Sequence, residues 1–210
     1  MISLFITLGL GFILGVKHAF EADHVLAVST IVSEQKNSLK AALVGVFWGL
    51  GHTTTLFIMG IIILLLKLSI PEKLALSFEL FVGIMLVILG FRTVKNFRPK
   101  LHAHGEHEDI KSRKHSTSYL IGMVHGLAGS GALVLLVLST ISSFSQGVYY
   151  ILFFGLGSTL GMTMMSFLIG LPFSFSASRF PSIEKKLQLL AGILSIGFGM
   201  FIIYQITLIY

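Results

Sequence analysis

Between Tyr119 and Ser178 the chain carries no Asp, Glu, Lys or Arg. Such a run cannot form the surface of a water-soluble globule, where charged side chains stay outside. It is also too long for one membrane crossing, which takes about 20 apolar residues. The natural break is at Ser142, Ser143, Ser145, Gln146 and Gly147. The rest of the composition agrees. Of 210 residues, 54% are hydrophobic and 11% charged, with a mean hydropathy of +0.91; a soluble domain carries about 25% charged residues. These values exclude a soluble enzyme, a nucleic-acid-binding domain and a disordered chain. The net charge of +6 and pI near 9.7 point to basic loops beside anionic lipid. The absence of cysteine excludes disulfides, thiolate metal sites and thiol relays. Residues Met1 to Val16 lack a basic leader and a small-x-small cleavage site, so they read as a retained membrane segment.

The pattern predicts an all-α integral membrane protein with six transmembrane helices. The first runs from Ile2 to Val32 and is interrupted by Lys17, His18, Glu21, Asp23 and His24. A straight helix of that length would be about 46 Å long, more than the hydrocarbon core requires. The second runs from Ala41 to Leu66; the third covers about 74–91, with Glu79 near its start. A polar stretch, Arg92 to Ser118, follows. The fourth helix covers about 119–141, the fifth about 147–171 with Pro172 expected to end it, and the sixth about 186–208. Twelve Lys and Arg residues fall in the loops after helices 1, 3 and 5, and only Lys67 and Lys73 on the opposite side. By the positive-inside rule the chain sits in the cytoplasmic membrane with both termini outside and loop 92–118 cytoplasmic.

The two halves resemble each other. Gly15-Val-Lys-His18 pairs with Gly122-Met-Val-His125, and Ser29-Thr30-Ile31 with Ser139-Thr140-Ile141. Phe47-Trp-Gly-Leu-Gly51 pairs with Phe153-Phe-Gly-Leu-Gly157, and Gly83-Ile-Met with Gly192-Ile-Leu. The offsets stay between 106 and 110 residues. Repeat one is about 1–98, a His-rich cytoplasmic loop about 99–118, and repeat two about 119–210. Three spans per repeat make the second repeat inverted, a plan that places a carrier's substrate site near the midplane.

The chemistry is concentrated in Lys17-His18-Ala19-Phe20-Glu21-Ala22-Asp23-His24. A charge at membrane depth costs about 2.5–3.5 kcal/mol, so such residues line a cavity, pair or bind an ion. The competing reading is a loop at the membrane edge, which leaves Val25 to Val32 too short to span. On a straight helix His18 lies about 140° from Asp23 and about 120° from His24. For the three to meet one ion, the helix must bulge or unwind near Phe20–Ala22, which is tolerated where backbone lines a cavity. Glu21 is a further ligand or proton acceptor, and Lys17 is expected to pair with Glu21 or Asp23, or to snorkel away. Helix 2 adds His52, flanked by Gly49, Gly51 and Thr53. Its repeat mate is Ser158, followed by Thr159; Asp23 and His24 map onto Ser130 and Gly131. His18, Asp23, His24 and His52 are thus the candidate metal ligands. Glu21, Thr53, His125, Ser130, Ser158 and Thr159 are candidates for the path or for support of the ligands. Met162, Met164 and Met165 read as packing rather than soft-sulfur ligands. Imidazoles with a carboxylate and no thiolate suit Ni²⁺, Co²⁺ or Zn²⁺ better than Cu⁺, Mg²⁺ or Ca²⁺. His102, His104 and His107, with His115, form either a loose cytoplasmic metal buffer or a solvated linker.

At these residues the chain resembles the nickel/cobalt transporter (NiCoT/NicO) family. His18-x4-Asp23-His24 looks like the family's signature, and Leu50-Gly51-His52-Thr53 like its second motif. The stretch His125-Gly-Leu-Ala-Gly-Ser-Gly-Ala132 is similar to the related urease-accessory UreH-type membrane proteins, which are also short six-helix chains. The resemblance implies transport of Ni²⁺ or Co²⁺ as substrate, often to supply urease, hydrogenase or cobalamin synthesis, with His18, Asp23, His24 and His52 recognising the metal. The chain departs from the larger transporters in lacking their extra spans. The expectation is a secondary transporter moving Ni²⁺, or Co²⁺, inward, with no cofactor, enzymatic activity or nucleic-acid partner. The alternatives are an efflux carrier on the same scaffold and a non-transporting accessory protein that serves urease or hydrogenase maturation proteins. An intramembrane metal-dependent hydrolase ranks below both, for lack of a His-Glu-x-x-His motif.

Overall fold

The computed structural model describes residues 2–67, 71–95, 109–128 and 143–209. Helices α1 (Ile2–His18), α2 (Ala22–Val32), α3 (Ser38–Leu66) and α4 (Glu72–Lys95) come from the first half. Helices α5 (Asp109–Ala128), α6 (Phe144–Arg179) and α7 (Pro181–Ile209) come from the second. No strand occurs among the described residues. By length and apolarity α3, α4, α6 and α7 can each cross a membrane, and α1 with α2 passes the same test as one bent pair. Large apolar side chains face outward around the bundle, among them Phe5, Leu39, Phe81, Ile88, Phe201 and Leu208. In water so broad an apolar surface would drive association; in a bilayer it faces lipid.

Helix 1 is broken where the ionisable residues crowd. The α1 ladder tightens at its end, with Phe20 N–H donating to Lys17 O and Glu21 N–H to His18 O at 3.0 Å. Glu21 then turns extended (φ −66°, ψ 152°) and begins α2, whose axis is bent 56° from α1. Neither Gly nor Pro makes this break. Asp23 stands in the first turn of α2, where a negative charge suits the helix dipole.

Elsewhere the boundaries follow local chemistry. Asn37 caps α3, its Oδ1 accepting from the N–H groups of Leu39 and Lys40 at 2.8 and 3.3 Å. α3 ends at Lys67 in the left-handed region (φ 50°). Pro172 does not end the fifth expected span: α6 runs through it to Arg179. A proline loses one ladder bond, and within a bundle neighbouring helices compensate. The carbonyl that loses its donor is that of Leu168; just beyond, Ser174 Oγ donates to Leu171 O at 2.9 Å and Ser176 Oγ to Pro172 O at 2.6 Å, without replacing that bond. Pro181 instead opens α7 at its first turn, where its missing N–H costs nothing. α5 begins at Asp109, ten residues before the expected span, because that stretch holds charged helix formers and no Gly or Pro. The remainder of the fourth expected span, 129–141, lies outside the described residues.

The bundle closes through small-residue contacts. α3 lies between α6 and α5, α1 packs on α6, and α4 on α7. A Cβ on Gly15 would collide with the Phe154 carbonyl, and one on Gly122 with the Trp48 carbonyl. Gly157 meets Phe12 and Gly51 meets Tyr119 in the same way; Gly83 faces Gly199 and Gly90 faces Gly192. At the α3–α6 crossing Gly49 meets Thr159 and Gly155 meets Thr53. There Thr53 Oγ1 donates to Gly155 O at 3.0 Å and lies 2.9 Å from Thr159 Oγ1.

Candidate metal centre

Four imidazoles converge at the centre of this bundle. His18 ends α1, His24 lies in the first turn of α2, His52 in the middle of α3 and His125 near the described end of α5. His24, His52 and His125 are 0% exposed and His18 is 1% exposed. The break brings His18 and His24 together, their ring centroids 4.5 Å apart. His52 stands 5.2 Å from His18 and 5.3 Å from His24; His125 lies 4.3 Å from His24. Gly49 and Gly51 let α3 approach α6 and α5 closely enough to put His52 among the other rings. Aromatic rings close two sides: Phe154 is 5.6 Å from His18, and Trp48 is 5.4 Å from His24 and 5.5 Å from His125.

Two groups with metal-binding geometry overlap at His24. One ring nitrogen each from His18, His24 and His52 lie within 4.8 Å of one another, and so do ligand atoms of Asp23, His24 and His125. The four residues expected to share one ion are therefore divided. Asp23 sits with His24 and His125, across from the other two imidazoles. Its Oδ1 is 3.1 Å from His24 Nδ1 and its Oδ2 is 3.0 Å from His125 Nε2. Glu21 holds a third ring, with Oε2 at 3.1 Å from His18 Nδ1, and is itself 40% exposed. Carboxylates only accept, so each of these nitrogens carries the hydrogen and the ring's other nitrogen presents a lone pair. His18 Nε2, His24 Nε2, His125 Nδ1 and both nitrogens of His52 are buried with no hydrogen-bond partner. Buried polar atoms are nearly always satisfied. The bare nitrogens of His18, His24 and His52 lie close enough together to present three lone pairs, one from each ring, a donor set suited to a borderline divalent cation.

The other expected residues fall elsewhere. Lys17 is exposed, while Glu21 and Asp23 pair with imidazoles instead. Thr53 and Thr159 bond each other at the α3–α6 crossing, and Ser158 Oγ donates to Gly15 O at 3.2 Å. Met162 and Met165 pack in the core beside Trp48 and Val44. His115 belongs to α5, its ring 4.5 Å from that of Phe47. Ser130, His102, His104 and His107 lie outside the described residues. The division of labour around Asp23 has no sequence signal, since His125 is 102 residues away.

Comparison with known proteins bears on this centre. The family described as high-affinity nickel-transport protein (NicO) matches residues 4–116, which hold His18, Asp23, His24 and His52. A second family, the cytochrome c biogenesis protein transmembrane region, matches residues 72–201, a stretch without cysteine. The urease accessory protein UreH of Bacillus sp. (strain TB-90) is 42% identical, over 98% of this chain and 93% of its own. A protein of Methanocaldococcus jannaschii described as a nickel/cobalt efflux system is 28% identical, over 91% of this chain and 89% of its own. The Arabidopsis thaliana chloroplast protein FOR GROWTH AND FERTILITY 2 is 25% identical, over 92% of this chain and 55% of its own. No solved structure matches the chain. With its apolar helices and its buried imidazoles, the chain is a multi-pass membrane protein that belongs to the NicO nickel-transport family.

Proposed function

We propose that the chain is a secondary carrier that moves Ni²⁺, and also Co²⁺, inward across the cytoplasmic membrane. The observation that supports it is the buried triad of His18 Nε2, His24 Nε2 and His52, whose nitrogens lack partners. Metal would shed water and bind these three neutral imidazoles, with Asp23 and Glu21 holding two of the rings from behind. A site of imidazoles without thiolate suits a carrier, which must release what it binds. A divalent cation entering a cell held at 100 mV, negative inside, gains about 4.6 kcal/mol, so inward flow needs no nucleotide.

In this reading six spans form two inverted repeats, with both termini outside. The contact pairs support it. Shifting one partner forward and the other back by the 106 to 109 residues of the repeat turns Gly15–Phe154 into Gly122–Trp48, Gly83–Gly199 into Gly192–Gly90, and Gly49–Thr159 into Gly155–Thr53. The Thr53–Thr159 bond maps onto itself, as a pair on a two-fold axis must. His18 beside Phe154 becomes His125 beside Trp48.

Two relatives' names favour other outcomes: efflux, from the protein described as a nickel/cobalt efflux system, and urease accessory work, from UreH. Accumulation of radioactive nickel at trace concentration separates the three, in cells expressing wild type or His24→Ala at matched abundance. Wild type is expected to raise cell nickel above empty vector and the variant not to. A fall caused by wild type alone reverses the direction but keeps the site. No difference among the three overturns transport by this chain and leaves the accessory role.

A further inference from the structure

A cavity of about 300 Å³ lies between the start of α2, the first half of α4 and the last turns of α7. Glu21, Asp23, Glu79 and Gln205 line it, with Val82 and Phe198 among its apolar walls. No Lys, Arg or His is among its described lining. Asp23 is also the residue that holds His24 and His125, both fully buried, each with one ring nitrogen left without a partner. The cavity therefore ends on the back of the metal centre. Its α4 lining, Leu76 to Val82, lies within a few turns of the α3–α4 connection, where the nearby basic residues are Lys67 and Lys73. Glu79 would be an expensive residue on an apolar helix facing lipid, and lining an aqueous cavity removes that cost.

A second cavity, of about 250 Å³, lies at the opposite end of α2. Thr30, Glu34, Arg92 and Thr93 line it, so its single carboxylate is accompanied by a guanidinium. The charge lining of the two cavities differs: the first carries three carboxylates with no cationic side chain, the second a carboxylate balanced by a guanidinium, so only the first draws a cation. Clefts lined by one sign of charge within low-dielectric walls concentrate the opposite ion.

We propose that the α2–α4–α7 cavity is the vestibule through which a hydrated divalent cation reaches the imidazoles, and that Glu79 is its first binding residue. Glu79 and Glu21 raise the local concentration of the ion at the inner end of the cavity, where Asp23 holds His24. This rests on the transport reading above.

The chain has no cysteine, so one introduced thiol can be followed in the full-length protein. Glu79→Cys is treated in proteoliposomes with a membrane-impermeant cationic thiol reagent, then with its anionic counterpart. Ile88→Cys, half a turn around α4 from Glu79 and 61% exposed, is the control. The Glu79→Cys thiol is expected to react from one side only, faster with the cationic reagent, and to be protected by Ni²⁺. In parallel, Glu79→Gln is expected to raise the KM for Ni²⁺ about three- to ten-fold, the effect of one nearby charge on a divalent ion in a wet cleft, with the maximal rate kept. An unchanged KM, or labelling no faster than at Ile88→Cys, overturns the vestibule while transport stands. A wild type that moves no nickel overturns both.

Discussion

Two polar regions lie inside the same apolar bundle, and they are finished differently. At the α3–α6 crossing the Thr53 hydroxyl bonds both Gly155 O and Thr159 Oγ1, and nearby Ser158 bonds Gly15 O. At the α1–α2 break His18, His24, His52 and His125 keep bare nitrogens although they are buried. Both regions place polar atoms where water cannot reach, and an unsatisfied buried group costs about 1–3 kcal/mol. The crossing settles that cost with bonds inside the protein, as structural glue does. The break leaves it open, and its atoms are completed only by something that accepts lone pairs. Substitutions at the break should therefore remove function and spare the fold; substitutions at the crossing should do the reverse.

His24→Ala is the sharpest test, because His24 belongs to both groups of metal-binding geometry. Initial nickel uptake is expected to fall by about 100-fold or more, since even partners behind a ligand are worth about 10–100-fold. The melting temperature of the solubilised protein should stay the same or rise, because a buried unsatisfied atom has been removed. Melting that collapses together with uptake would make the break a structural element like the crossing. Asp23→Asn comes next. The carboxylate accepts from His24 and His125 at once, and an amide turns one acceptor into a donor facing a donor. Nickel affinity, read by equilibrium dialysis of the purified protein, should weaken by about 10–100-fold. A loss as large as that of His24→Ala would make Asp23 a direct ligand.

The break was legible because its chemistry is local. Lys17, His18, Glu21, Asp23 and His24 could not share one face of a straight helix, and a helix of that length was too long for a bilayer. The interruption at Ala19–Glu21 follows from those two facts. What Asp23 does was not legible. Spacing places it beside His24 on the chain, but its second partner, His125, arrives from another helix. Pro172 was misread for a related reason. The rule that proline ends a helix describes a helix standing alone, and α6 packs against α1, α2, α3 and α7, whose contacts hold it helical through one lost ladder bond. Glu79 stood out only as a charge in an apolar run. Its place opposite Glu21 and Asp23 depends on how α4 packs against α2 and α7.

At the crossing and its flanks the expected effects are on stability. Gly15→Ala sets a methyl against the Phe154 carbonyl, a backbone contact that cannot rotate away. Overpacking of this kind costs about 1–3 kcal/mol. It should appear as lower membrane abundance and melting temperature, with nickel affinity per folded molecule changed far less than by Asp23→Asn. Affinity that falls in step with melting would mean that the α1–α6 contact positions His18 as well as the helix.

The smallest effect is expected for Thr53→Val, which keeps the shape of the side chain and removes both of its hydroxyl contacts. Interhelical hydrogen bonds in membrane proteins average about 0.6 kcal/mol, because the unfolded chain in lipid also finds partners. For a chain of this size that is about 1–2 °C of melting temperature, with nickel uptake unaltered. If the valine variant instead keeps its melting temperature and loses uptake, Thr53 belongs to the metal's path, and the crossing is a functional region too. The difference between the two regions would then lie in what each touches during transport, since their hydroxyls and imidazoles would both be serving the ion.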